Sequence, residues 1–261
     1  MFKFAANLTM LFTELPFLER FKAARETGFK SVEFLFPYDY VTHDIQRLLD
    51  ENGLNMVLFN LPAGNWGSGE RGITNNPRKT EEFRRGVEEA IVWAQALKVP
   101  RINCLAGKTL SDISSDEQWD TLKDNIRYAA DVLHENGLEL LLEFINHYDV
   151  PGFMLNTSKQ ALKMIDEVGK PNVYLQYDIY HAQKEEGNLA GIMREHIARI
   201  KHIQIADNPG RHQPGTGEIN YRFLLNELDK LGYEGYVSLE YIPKPDTWKS
   251  LEWVATHGFS L

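Results

Sequence analysis

The sequence predicts a single-domain (β/α)8 TIM barrel that spans residues 1–261. Three observations carry this prediction: the length of 261 residues, the eight short apolar runs that alternate with helical patterns, and the uniform composition along the chain. A barrel of this kind typically takes about 250 residues. A doubly wound open sheet is the main alternative, but it usually has fewer strands and often a glycine-rich phosphate loop.

The predicted strands are apolar runs of strand length. They lie at residues 4–8, 31–36, 54–61, 101–106, 138–145, 173–179, 200–206 and 236–241. Between them, apolar residues recur at helical spacing, as at Phe17, Phe21 and Ala24. Several predicted helices are followed by a glycine, the residue that best adopts the left-handed conformation at a helix end. These glycines are Gly28, Gly53, Gly137, Gly169 and Gly232.

Three connections are too long for a plain strand-to-helix turn. Residues 62–80, 146–156 and 207–220 follow the third, fifth and seventh predicted strands. In a TIM barrel, loops after strands emerge at the C-terminal face, where the chemistry of such enzymes is located. Loops of this length are usually functional or disordered, and their aromatic and proline residues favour ordered, functional loops.

Charge and cysteine content narrow the class of protein. The net charge is −9, and no run of lysine and arginine supplies the basic surface of a nucleic-acid binder. Cys104 is the one cysteine, which excludes an intramolecular disulfide and favours a reducing, cytoplasmic environment. No stretch approaches the ~18 apolar residues that a membrane span needs. The oligomeric state stays open, a homo-oligomer included.

Each of the last four predicted strands carries a polar side chain in an otherwise apolar run. These residues are Glu143, Asp178, Gln204 and Glu240. Side chains alternate between the two faces of a strand, so all four can converge inside the barrel mouth. Singly, each is more often a salt-bridged or buried hydrogen-bonding residue than a ligand. Their occurrence on four consecutive strands, with matching alternation, favours one shared site.

Three carboxylates in a barrel mouth repel one another and need a neutralising charge. A divalent cation is the simplest candidate. Three carboxylates and one amide oxygen form an all-oxygen ligand set, which selects hard ions over thiophilic ones. The sequence therefore predicts one Mg²⁺ or Mn²⁺ bound by Glu143, Asp178, Gln204 and Glu240.

The same strands carry recognisable motifs. The strings EFINHYDVPGF at 143–153, QYDIYH at 176–181, HIQIADNP at 202–209 and PGTGEINY at 214–221 resemble the hydroxypyruvate isomerase family. This family lies within the xylose-isomerase-like TIM-barrel superfamily, and the resemblance runs over nearly the whole chain. Gln204 stands where related sugar epimerases carry histidine, which favours the isomerase branch.

The resemblance implies an activity and a division of roles. The expected reaction interconverts hydroxypyruvate and tartronate semialdehyde by metal-assisted proton transfer through a cis-enediolate. Residues matching Glu143, Asp178, Gln204 and Glu240 bind the metal in this family, and those matching Glu143 and Glu240 act as the acid/base pair. The expected partner is therefore a small anionic substrate.

The sum of charges at the barrel mouth predicts further cations there. Three ligand carboxylates and one dication leave a charge of −1 before an anionic substrate arrives. His181, Arg71, Lys108 and Arg211 are the candidates for compensating, substrate-binding cations, and His181 is the best placed because it follows Asp178 closely. A solvated surface cation is the competing interpretation of each.

Other functions use the same kind of site. A 2-oxo-tetronate isomerase or a ketose 3-epimerase would differ only in the substrate pocket. A DNA-repair endonuclease of this superfamily would need more metal-binding histidines and a basic face, and the sequence offers neither. A metal-dependent sugar-acid binding module is the non-enzymatic alternative, and it would not require Glu143 and Glu240 to carry protons.

Overall fold

The computed structural model describes residues 2–261 and forms a closed barrel of parallel strands. β1 pairs with β2 on one side and with β8 on the other, which closes the sheet. The predicted TIM barrel is thereby confirmed, and the doubly wound open sheet is excluded. The strands are β1 Lys3–Asn7, β2 Ser31–Glu33, β3 Asn55–Asn60, β4 Arg101–Cys104, β5 Glu139–Glu143, β6 Val173–Asp178, β7 Ile200–Ile205 and β8 Tyr236–Leu239.

Helices connect successive strands and cover the outside of the barrel. Gly53 and Gly169 have φ values of 58° and 68° and end the second and fifth helices as predicted. No helix of residues 2–261 is long and apolar enough to cross a membrane. The helices are α1 Arg20–Glu26, α2 Thr42–Asn52, α3 Thr80–Leu97, α4 Ser115–Glu135, α5 Ser158–Val168, α6 Ile179–Glu185, α7 Leu189–His196, α8 Tyr221–Lys230, α9 Thr247–Ser250 and α10 Glu252–Thr256.

Several strands end earlier than their apolar runs predict. β2 ends at Glu33 and β8 at Leu239, although Phe34 and Tyr241 beyond them are buried. The chain leaves the hydrogen-bonded ladder at the mouth while it stays covered by the loops. The hydrophobicity of the sequence predicts which residues are buried, but it does not show where the hydrogen bonds between strands end.

The three long loops are ordered and pack at the C-terminal face. In the first, Gly72 has a φ of 106°, and a Cβ there would lie 2.3 Å from the carbonyl oxygen of Leu105, just after β4. The second is tied to the end of β4 by a bridge between Lys108 and Phe153. In the third, the carboxylate of Asp207 accepts hydrogen bonds from three backbone N–H groups further along the loop. The loops therefore form fixed walls around the mouth.

Candidate active site

A cluster of buried carboxylates lies in the barrel mouth. Glu143 ends β5, Asp178 ends β6 and Glu240 follows β8 directly, and each is at most 6% exposed. Ligand atoms of Glu143, Asp178 and His181 lie within 4.8 Å of one another. Arg211 joins Glu240 to this group, since its Nη2 is 2.7 Å from Glu240 Oε2 and 3.6 Å from Asp178 Oδ2. The structure thus brings the three predicted carboxylates to one place.

A cavity of about 300 Å³ opens above Glu143 and Glu240. It is small enough to suit a short organic acid, and its walls combine apolar side chains with a few charged groups. The residues that line it include Glu143, Glu240, His181, Arg211, Arg71 and Trp66.

The two carboxylate oxygens of Asp178 lie in different environments. Oδ1 accepts the backbone N–H groups of Tyr180 and His181 at 2.8 and 3.4 Å, which caps the start of α6. Oδ2 is buried and has no hydrogen-bond partner among residues 2–261. An unpartnered buried carboxylate oxygen is costly, and a metal ion bound there would satisfy it.

Each of the two glutamates is anchored by a buried asparagine from the neighbouring strand. Asn103 on β4 donates from Nδ2 to Glu143 Oε2 at 2.9 Å. Asn7 on β1 donates from Nδ2 to Glu240 Oε1 at 3.1 Å. One oxygen of each carboxylate is therefore fixed. The second oxygen of Glu240 accepts a hydrogen bond from Arg211.

Burial controls the protonation of these three acids. Burial, with the nearby charge of Asp178, raises the pKa of Glu143 to about 8. Burial likewise raises the pKa of Asp178 to about 6 and that of Glu240 well above its usual range, although Arg211 opposes both shifts. The cluster thus lacks positive charge, and its oxygen-rich composition fits a hard divalent cation.

Gln204 lies in register with Asp178 on the neighbouring strand, as its alternation predicts. Its Nε2 donates to Glu33 Oε1 at 2.9 Å, and its Oε1 accepts from Gln176 at 2.7 Å. A carbonyl oxygen has two lone pairs, so one of them stays available. Gln204 is the predicted ligand most engaged in other contacts, and its metal-binding role remains a prediction.

Sequence reasoning missed a fourth buried carboxylate, Glu33. Its Oε2 is 2.6 Å from His202 Nε2, and its Oε1 accepts hydrogen bonds from Asn7 and Gln204. Burial alone would raise the pKa of Glu33, but His202 and the hydrogen bonds outweigh burial and lower it. Glu33 is therefore ionised and links Gln204 to Asn7, which itself holds Glu240.

The signal for this network was present in the first four strands. Asn7, Glu33 and Asn60 each end a strand and, like Asn103, interrupt an apolar run. This is the same alternation that identified the residues of the last four strands.

The four predicted substrate-binding cations lie in different places relative to the cavity. Arg211 lies against Glu240 and Asp178, and Arg71 lines the cavity with its guanidinium 3.9 Å from the centre of the Trp66 ring. Lys108 lines a neighbouring cavity, which it shares with Arg71, and not the one that holds the glutamates.

His181 is buried, and the charge of Arg211 lies near it. Burial, together with the charge of Arg211, lowers the pKa of His181 well below its usual value. A lowered pKa favours the neutral imidazole, and the role of His181 as a compensating, substrate-binding cation stays a prediction. A neutral imidazole can still contact a substrate by hydrogen bonding.

Comparisons with known proteins place this chain in a family. The family model described as xylose isomerase-like TIM barrel matches residues 21–257. A hydroxypyruvate isomerase of Escherichia coli (strain K12) is 50% identical over 254 residues, which cover 97% of this chain and 98% of that protein. A 2-oxo-tetronate isomerase of Pectobacterium atrosepticum is 43% identical over 251 residues, 96% of each chain.

A solved structure agrees with this placement. The crystal structure from Brucella melitensis of a protein described as an AP endonuclease of family 2 superposes with a TM-score of 0.95 and is 40% identical. The match covers 98% of this chain and 99% of that one. The chain therefore belongs to the xylose isomerase-like TIM barrel family and, within it, to the hydroxypyruvate isomerases.

Proposed function

We propose that the protein is a hydroxypyruvate isomerase that interconverts hydroxypyruvate and tartronate semialdehyde. The observation that carries the proposal is the pair of buried glutamates, Glu143 at the end of β5 and Glu240 directly after β8. Each has one oxygen anchored by an asparagine and a pKa raised from its usual range. The 50% identity to a hydroxypyruvate isomerase supports this choice of substrate.

The reaction moves a proton between neighbouring carbons. One glutamate accepts the proton from the hydroxymethyl carbon of hydroxypyruvate, and the other delivers a proton to the adjacent carbon. A hydrogen also moves between the two oxygens. A carboxyl group with a pKa near the working pH is effective in both directions, because it is neither fully protonated nor a weak base. Which glutamate acts first depends on the direction of the reaction.

One Mg²⁺ or Mn²⁺ completes the proposal, held by Glu143, Asp178, Gln204 and Glu240. When bound, the cation supplies Lewis-acid stabilisation of negative charge on the substrate oxygens. The unpartnered Oδ2 of Asp178 and the raised pKa values of the three acids support a cation at this position. The buried free thiol of Cys104 supports a reducing compartment, and we include a cytoplasmic location in the proposal.

The metal site predicts a stoichiometry. The protein binds about one Mn²⁺ per chain, and Asp178→Ala abolishes this binding because it removes a buried carboxylate oxygen that has no hydrogen-bond partner. Isothermal titration of the metal-free protein with Mn²⁺ measures both values. Asp131→Ala, at an exposed carboxylate that pairs with Lys170, is the control and binds normally. Undiminished binding in Asp178→Ala, Glu143→Ala and Gln204→Ala alike would exclude the site.

Recognition of the substrate carboxylate predicts a split between KM and kcat. Arg71→Ala raises KM more than it lowers kcat, because a contact made equally in the ground and transition states affects binding alone. Lys108→Ala is the matched control, since it removes a cation from the neighbouring cavity. We expect His181→Ala to raise KM more than it lowers kcat as well. Arg211→Ala should raise KM and also lower kcat, because Arg211 contacts Glu240. Steady-state kinetics in which Arg71→Ala and Lys108→Ala behave alike would contradict this assignment.

A 2-oxo-tetronate isomerase is the second candidate, because a relative of that name is 43% identical over nearly the whole chain. An assay of the Mn²⁺-loaded protein on hydroxypyruvate, 2-oxo-tetronate and tagatose separates the isomerases from a ketose 3-epimerase. We expect the highest kcat/KM on hydroxypyruvate. A preference for either other substrate would replace the proposed one while the site stays the same.

A further inference from the structure

We propose that Asn146 fixes the tautomer of His181 and so keeps this histidine out of the metal's ligand set. Asn146 follows β5 and His181 lies in α6, so the pair connects the segments that come after the two strands carrying Glu143 and Asp178. The consequence is a site of oxygen ligands only, which prefers Mg²⁺ or Mn²⁺ to Zn²⁺. The metal class rests on the proposed site, but the tautomer does not.

The orientation of the Asn146 amide is fixed by its neighbours. Its Oδ1 accepts the backbone N–H of Asp149 at 2.9 Å. Its Nδ2 lies 3.2 Å from Asp149 Oδ2 and 2.6 Å from His181 Nδ1. Lys184 holds the other oxygen of Asp149 at 2.6 Å. A flipped amide would place its oxygen against a carboxylate and its NH2 group against a backbone N–H, so only one orientation satisfies every partner.

This orientation determines where the imidazole proton lies. Nδ1 of His181 faces an NH2 donor and must accept, so in the neutral ring the proton is on Nε2. Nε2 lies 3.4 Å from Asp178 Oδ2, next to the proposed metal. A nitrogen that carries a proton has no lone pair for a metal ion.

The arrangement is the reverse of that around a metal-binding histidine. Such a histidine usually donates its second N–H to a carboxylate or carbonyl, which leaves the other nitrogen free to bind. The distances alone would permit a nitrogen ligand, because His181, Glu143 and Asp178 offer atoms within 4.8 Å of one another. Two carboxylates and an imidazole form a set that suits zinc. The hydrogen on Nε2, placed there by Asn146, excludes that set.

Asn146→Asp tests the inference at nearly constant size. It replaces the NH2 donor that faces Nδ1 by an acceptor, so the proton moves to Nδ1 and Nε2 gains a lone pair. We expect the affinity for Zn²⁺ relative to Mn²⁺ to rise at least about tenfold, measured by competition titration. Asn156→Asp is the matched control: it adds the same charge to the same loop, where Asn156 contacts the carbonyl of Ile145 and not His181.

Nitrogen-15 NMR of the metal-free protein reads the tautomer directly. Long-range ¹H–¹⁵N correlations, with the His181 signals assigned by their loss in His181→Gln, show a protonated Nε2 in the wild type. A protonated Nδ1 in the wild type would overturn the inference, as would an equal change of metal preference in Asn146→Asp and Asn156→Asp. If Asn146→Asp does not fold, Asn146→Leu removes the donor without adding charge. An unchanged affinity for Zn²⁺ relative to Mn²⁺ in Asn146→Leu would also overturn the inference. A wild type that binds no Mn²⁺ contradicts the proposed metal site and leaves the NMR result to decide the tautomer.

Discussion

Replacing Glu143 or Glu240 by glutamine lowers kcat at least about 10²-fold, the lower end of what a general acid or base contributes. Mn²⁺ binding survives, because glutamine keeps one coordinating oxygen and loses only the atom that carries the proton. The asparagine contacts make this separation clear: Asn103 and Asn7 already hold one oxygen of each glutamate in place. Steady-state assays of the Mn²⁺-saturated variants measure the loss.

The control for this experiment is Glu227→Gln. Glu227 is also buried, but it lies on α8 and pairs with Lys230, so its replacement leaves kcat unchanged. Near wild-type isomerisation by either metal-loaded active-site variant would reject the two-glutamate mechanism. A hydride shift between the two carbons would then explain the reaction better. A wild type that binds hydroxypyruvate without converting it would instead indicate a binding module.

The metal-free protein loses stability as the pH rises from about 4.5 to about 8. In the unfolded chain Glu143 titrates near 4.5, whereas in the folded chain its pKa is about 8, so the folded state binds more protons in this range. Stability falls with pH wherever the folded state holds the extra proton. For a shift of this size the loss is on the order of 5 kcal/mol, and Asp178, with a folded pKa of about 6, adds to it at the lower end.

Saturating Mn²⁺ removes most of this loss, because a bound cation stabilises the ionised carboxylates and adds its own binding free energy. Denaturant unfolding at several pH values, with Mn²⁺ or with a chelator, measures the free energy of unfolding in both states. Glu143→Gln makes the pH dependence of the metal-free protein shallower, since an amide does not titrate, while Asp178 and Glu240 still do. A metal-free stability that is constant or rises between pH 5 and 8 would contradict the prediction.

The sequence predicts the barrel because each strand and helix has its own periodicity, which needs no tertiary information. The same alternation places Glu143, Asp178 and Gln204 correctly on their strands. The lowered pKa of His181 was not predictable in this way, because it depends on burial and on Arg211, a residue 30 positions later in the chain. The position of Lys108 was equally hidden, since the path of its loop is set by contacts such as the bridge to Phe153.

The pairing of β8 with β1 has a consequence for folding. Glu240 comes from the last strand to be synthesised, and Asn7, which holds its carboxylate, comes from the first. The proposed proton carriers and ligands all lie in the second half of the barrel, whereas the asparagines that anchor the two glutamates lie in the first. A chain whose first and last strands have not yet met lacks an organised Glu240. Recovery of isomerase activity during refolding therefore reports that the barrel has closed. Secondary-structure signals cannot report this, because a closed barrel and a nearly complete open sheet contain almost the same strands and helices.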